Sequence, residues 1–243
     1  MTVASPGDWL TRVEAAFSAC LVEQPAADGA GASASAGAAA PPPPARALLL
    51  APLLSASELV KEGYAVLYSE GMISRTLRDD LQHNLTNLSA AAARSSPAPA
   101  TARAFVEAEF AAAGRSVEAA KGREGLIAGL WLSRTLRFVA RMLQLLGQPR
   151  TPAVEIAEAG RTTYDEILHP YHGPLLGFIV GAAFSWAPKR KSLTDQLRSR
   201  DGLDEAAATA LLARAAGAML PVTAALHDLF TEHGIDWPDK VGV

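Results

Sequence analysis

A single cysteine, Cys20, in 243 residues excludes an internal disulfide and leaves burial to hold the fold. An excess of positive charge is missing too. The 22 Lys and Arg against 25 Asp and Glu give a formal net charge of −3, which offers no long-range attraction to polyanions and argues against nucleic acid as a partner. No stretch sustains alternation of apolar and polar positions and β-branched residues are sparse, so a sheet is not expected. The start, Met1-Thr2-Val3-Ala4, lacks a basic region followed by an apolar core, so a secretory signal is not expected. The longest strongly apolar run, 174–188, falls short of the roughly 20 residues a spanning helix needs. A soluble protein in a reducing, cytoplasmic compartment is the expectation. Catalytic signatures are also missing. The chain has no Gly-x-Ser-x-Gly elbow, no phosphate-cradling glycine loop and no Cys-His arrangement with a third orienting group, which points away from an enzyme and from a bound cofactor.

What the chain has is alanine and helical spacing. Hydrophobic residues make up 49%, enough for one sizeable core, so residues 1–243 are expected to form one all-α domain of about eight helices. Trp9, Leu10, Val13, Phe17, Cys20 and Leu21 recur at helical intervals and predict a first helix from about Asp8 to Glu23. Residues 26–45, Ala, Gly and Ser ending in Pro41-Pro42-Pro43-Pro44, cannot bury a core and read as a flexible low-complexity insertion. A second helix begins near Leu48, with Gly63 as a break or close-packing point, and a third runs from about Ser74 to Ala92. After a loop carrying Pro97 and Pro99, helices are expected over about 102–113 and 124–146, the latter stopped by Gly147, a residue tolerant of left-handed backbone, and then Pro149. Four more are expected over about 152–168, 174–186, 193–198 and 203–231, the last bent at Pro221.

Three places can carry function. Asp80, Asn84 and Asn87 fall at i, i+4 and i+7, one narrow polar strip beside the apolar stripe of Leu77, Leu81, Leu85 and Leu88. A carboxylate and two amides at the edge of a buried face suit a sugar headgroup, whose hydroxyls need an acceptor and mixed donor-acceptors in fixed array; the plain alternative is a solvated face. Trp131 sits at the seam between apolar and basic strips. It offers a flat plate for the C–H face of a sugar, or else bridges to a neighbouring helix. Arg134, with Arg137 and Arg141 on the same strip, could pair with Asp79 or Asp80 and hold that carboxylate ionised; surface charge is the alternative. His172, at a junction between helices, carries one donor and one acceptor as a neutral imidazole and could satisfy a ceramide amide, which carries one of each. A metal pair from His169 and His172 is disfavoured by the intervening Pro170 and by the lack of a cysteine or well-spaced carboxylate to complete the set.

Asp80-Leu81-Gln82-His83-Asn84-Leu85-Thr86-Asn87, Leu130-Trp131-Leu132-Ser133-Arg134-Thr135-Leu136-Arg137-Phe138, and Tyr164 through Tyr171-His172-Gly173 together resemble the glycolipid transfer protein family. The similarity can be followed from about Ser74 to the C-terminus. It implies a two-layer all-α helical sandwich enclosing an apolar lipid tunnel, no enzymatic step, a sphingolipid ligand and transient contact with a membrane surface. It also implies that Asp80 and Asn84 bond the first sugar, Trp131 stacks on it, and His172 contacts the ceramide amide. Two departures stand out: Asn87 replaces the family's usual lysine, and Pro174 replaces an aromatic residue that helps docking on membranes. Trp186 with Lys189-Arg190-Lys191 could substitute for that aromatic. The family's ceramide-1-phosphate branch typically places a basic residue where Trp131 lies, so Trp131 and Asn84 favour a glycosylceramide. Ceramide-1-phosphate transfer and a lipid-sensing adaptor role are the alternatives.

Overall fold

The computed structural model describes residues 5–24, 46–68, 72–150 and 153–237. The insertion expected at about 26–45 lies outside the described residues. Among these residues the chain forms ten α-helices rather than about eight: α1 (Pro6–Ser18), α2 (Leu50–Tyr68), α3 (Met72–Arg94), α4 (Ala102–Ala112), α5 (Val117–Ala120), α6 (Glu124–Leu146), α7 (Ile156–Ile167), α8 (Pro174–Ala183), α9 (Arg190–Asp201) and α10 (Glu205–Glu232). Nine of them correspond to the ranges located in the sequence, and the tenth is the short α5, one turn between two of the expected helices.

Local chemistry accounts for several ends. Ser5 caps α1 by accepting from the Asp8 amide, with Pro6 in the first turn, and Thr101, Ser116 and Asp204 cap α4, α5 and α10 in the same way. The first helix stops at Ser18 rather than Glu23, because the Cys20 carbonyl accepts a bond from the Leu49 amide at 2.8 Å and β1 (Leu21–Glu23) pairs antiparallel with β2 (Arg46–Leu48). This ribbon of two three-residue strands, with an isolated bridge between Leu49 and Thr101, departs from the all-α expectation. Cys20 is fully buried beside it, and burial pushes its thiol up to about 11.

Helices α6, α3, α2, α1 and α10 form a closed circuit in which each packs on the next and α10 returns to α6, while α7 packs on α6. Two glycines set close approaches in this circuit. A Cβ at Gly63 would stand 2.1 Å from the Trp9 ring, so Gly63 admits the indole between α1 and α2 and does not break α2. A Cβ at Gly147 would stand 2.5 Å from the Ala213 backbone nitrogen, and Gly147 itself has φ −83°; its smallness against α10, not a left-handed turn, is what the site requires. Pro221 lies within α10, which runs on past it to Glu232. By length and composition α10 could cross a membrane, but its Leu212, Met219, Val222, Leu226 and Phe230 are buried in one core cluster shared with α1 and α6.

Candidate functional site

The cavity of about 790 Å³ opens between α3 and α6, with α7, α8 and Tyr64 of α2 completing its wall. Thr76, Leu77, Asp80, His83, Asn84 and Asn87 face it from α3, one strip at three- and four-residue spacing; Glu124, Ile127, Ala128, Trp131, Thr135 and Phe138 face it from α6. Close contacts at Gly125 against Ala91 and at Gly129 against Leu88 show that the two helices run antiparallel. The Asn87 end of one strip therefore meets the Glu124 end of the other. Tyr164 and Leu168 and, from α8, Leu176, Ile179 and Val180, with Ala183 and Phe184, make the remaining wall largely apolar. Five of the six expected site residues, Asp80, Asn84, Asn87, Trp131 and His172, line this one cavity.

Within the polar strip the side chains orient one another. Asn84 is buried and its Nδ2 donates to the Asp80 carbonyl at 3.0 Å and to Asp80 Oδ2 at 3.4 Å. Asn87 Nδ2 lies 3.0 Å from His83 Nε2. Asp80 opens to solvent along one edge, yet the surroundings of its carboxylate raise its pKa, chiefly by burial, with His83 opposing. Across the cavity mouth the His172 ring lies 5.8 Å from the Trp131 ring at 25°. His172 Nδ1 is 3.0 Å from the Tyr164 hydroxyl. Burial, with Arg134 and His169 adding to it, brings the His172 pKa down to about 4, so the imidazole is neutral at pH 7.

Arg134 departs from expectation. It is only 1% exposed, does not line the cavity, and is not paired with Asp79 or Asp80. Its Nη2 donates instead to Asp236 Oδ1 at 2.9 Å and to the Trp237 carbonyl at 2.8 Å. The reason is its position on the helix: three residues past Trp131, its guanidinium passes over the Trp131 ring at 4.8 Å and reaches the C-terminal segment on the far side. Its strip neighbours are also engaged elsewhere, Arg137 Nη1 with His227 Nδ1 at 3.1 Å and Arg141 with Glu166 at 2.8 Å. Among the described residues no Lys or Arg lines the cavity, and two carboxylates, Asp80 and Glu124, do.

Beside the cavity, α8 buries none of its residues. Leu175, Phe178 and Ile179 are exposed, and Trp186 is 81% exposed. Of the basic cluster expected next to Trp186, Lys191 is exposed but Arg190 is 5% exposed, bonded to the Leu146 carbonyl at 2.7 Å and paired with Glu205. Arg190 therefore ties α9 to α6 and α10 and offers nothing to a surface. Sequence reasoning also passed over His83, at i+3 from Asp80 on the same strip, which the spacing could have identified, and Glu124, two turns before Trp131.

Comparison with known proteins gives a consistent answer. The family model described as Glycolipid transfer protein (GLTP) matches residues 48–199, more than half of the chain. No curated protein matches by sequence. Among solved structures, human ceramide-1-phosphate transfer protein in complex with 12:0 ceramide-1-phosphate superposes with a TM-score of 0.74 at 17% identity, covering 96% of this chain and 99% of that one. A variant of the Arabidopsis accelerated-cell-death 11 protein, complexed with C12 ceramide-1-phosphate, gives 0.67 at 19% identity over 97% and 100%. The fungal glycolipid transfer protein HET-C2 gives 0.64 at 22% identity over 79% and 89%. At these identities the likeness is one of fold, and the fold is the all-α one expected.

Proposed function

Because the chain belongs to the glycolipid transfer protein family, whose members are lipid transfer proteins rather than enzymes, we propose that it carries sphingolipids between membranes and that its cargo is a ceramide bearing an uncharged sugar. The observation that carries the choice of headgroup is the charge of the cavity: Asp80 and Glu124 line it with no Lys or Arg among the described residues. A phosphate brought there would meet two carboxylates and no counter-charge, and a desolvated anion without a partner is strongly disfavoured. Sugar hydroxyls are neutral and can both donate to Asp80 and exchange bonds with the Asn84 amide. In this reading Trp131 supplies the stacking plate, Asn87 a further amide, and the neutral His172 the contact to the ceramide amide. Arg134 does not line the cavity in this reading; its guanidinium lies over the Trp131 and Tyr171 rings.

The apolar remainder of the cavity supplies the transfer mechanism. Withdrawing chains of roughly thirty methylenes into water, at about 0.8 kcal/mol per CH₂, costs on the order of 20 kcal/mol, so unaided exchange is very slow. Side chains such as Phe138, Leu168, Leu176 and Val180 replace the bilayer interior while the protein is docked, and no covalent step is required. Docking is assigned to the exposed apolar face of α8 with Trp186, a tryptophan suited to a lipid interface; Lys191, five residues on, is exposed but pairs with Asp195 at 2.6 Å. A cytoplasmic setting suits the free thiol of Cys20.

Ceramide-1-phosphate is the second reading, supported by the neighbours solved with that lipid. It would require Arg134 to leave Asp236 and turn into the cavity. Transfer of fluorescent glucosylceramide between vesicles tests the proposal. Acceleration proportional to protein concentration is expected, and a rate no faster than the protein-free exchange would overturn it.

A further inference from the structure

The residues that hold the Trp131 plate come from three separated parts of the chain. The Arg134 guanidinium lies 4.8 Å from the Trp131 ring centre and 3.5 Å from that of Tyr171, stacked between a residue of α6 and one from the turn before α8. Asp236, some hundred residues further on, uses both carboxylate oxygens: Oδ1 accepts from Arg134 at 2.9 Å and Oδ2 accepts from the Tyr171 hydroxyl at 3.2 Å. The adjacent Trp237 carbonyl takes a second bond from Arg134 Nη2 at 2.8 Å. Arg134 Nε is buried with no hydrogen-bond partner, so the positive charge is balanced by Asp236 and by the faces of the two rings.

We infer that Asp236 and Arg134 are positioning residues, by which the segment Ile235-Asp236-Trp237 clamps the sugar plate from behind and fixes the turn that carries His172. The inference rests on the sugar-stacking reading of Trp131 given above. Arg134 shares a helix face with Trp131, and Tyr171 immediately precedes His172. One carboxylate thus sets the spacing between the two groups that the headgroup and the ceramide amide would touch. Neither Asp236 nor Arg134 lines the cavity. Removing the Asp236 charge would leave a buried cation without a counter-ion, and the structure relieves this by releasing the segment and letting Trp131 and the His172 turn reorient.

The test uses the full chain and compares capture of glucosylceramide and of ceramide from vesicles, with circular dichroism to confirm folding. A merely structural role lowers capture of both lipids together, whereas loss of the plate's orientation lowers their ratio. Asp236→Asn is expected to reduce the glucosylceramide-to-ceramide ratio about tenfold, with Asp236→Glu restoring part of it, and to have no further effect on that ratio in a Trp131→Ala background. Where Asp236→Asn does not fold, Tyr171→Phe, which removes a single bond and keeps the ion pair, carries the same test with a smaller drop expected. An unchanged ratio in the folded variants, with the wild type still preferring glucosylceramide, overturns the clamp alone. A wild type with no preference overturns the sugar-plate reading and the clamp with it.

Discussion

Nδ1 of His172 lies 3.0 Å from the Tyr164 hydroxyl, and this contact fixes the imidazole of a residue whose pKa is held down to about 4. Burial is the main cause, and Arg134 and His169 act in the same direction. The unfolded chain would bind a proton at His172 near pH 6.5, so between there and about 4 the unfolded state holds more protons and folding stability falls as pH falls. Nuclear magnetic resonance titration of the His172 ring is expected to show a midpoint near 4. A midpoint close to the ordinary histidine value would contradict the buried, tethered imidazole.

Asp80 and Trp131 sit at the cavity mouth without being fully buried, so their loss should affect cargo more than fold. Asp80→Val removes a charged hydrogen-bond acceptor worth about 1.5–3 kcal/mol, or roughly tenfold to a hundredfold in affinity. Trp131→Ala removes the stacking plate and should cost about tenfold or more. Transfer rates measured alongside circular dichroism check both, and wild-type rates in either folded variant would refute the assignment of that residue.

Phe178 of α8 and Trp186 just beyond it allow the proposed membrane docking to be tested apart from cargo binding. Phe178 is 76% and Trp186 81% exposed, and neither lines the cavity. Phe178→Ser and Trp186→Ala should lower cosedimentation with vesicles several-fold while leaving the affinity for a water-soluble short-chain glucosylceramide unchanged. Unaltered cosedimentation would remove α8 from the docking surface.

Gly63→Ala tests the packing of α1 on α2. The added methyl meets the Trp9 ring at 2.1 Å, and Trp9 is itself anchored by a 2.7 Å bond from Nε1 to the Leu59 carbonyl. Overpacking of this kind costs about 1–3 kcal/mol. A fall of several degrees in the unfolding midpoint is expected, and an unchanged midpoint would show that the indole yields freely.

Helix positions and the cavity strip were legible in the sequence because both depend on short-range periodicity. Asp80, Asn84 and Asn87 recur at three and four residues, and α6 reads plainly from Glu124 to Leu146. The family match begins at residue 48, earlier than the resemblance traced from Ser74, since α2 carries apolar spacing and few distinctive side chains. Long-range pairing was not legible. Nothing near Arg134 in the sequence points to Asp236, and nothing near Arg190 points to Leu146 and Glu205. Spacing alone pairs Arg134 with Asp79 or Asp80 and leaves Arg190 free beside Trp186, whereas each is engaged by a contact that only the fold brings together. The Gly147 stop was placed correctly for an incorrect reason, because close approach to Ala213 leaves no signature beyond the glycine itself.

The most direct measurement is the initial rate of transfer of fluorescent glucosylceramide and of ceramide-1-phosphate, matched in chain length, between the same donor and acceptor vesicles. With Asp80 and Glu124 at the cavity and Arg134 bound to Asp236, the glycosylated lipid is predicted to move faster. Faster movement of ceramide-1-phosphate would contradict the account and place Arg134 at the headgroup.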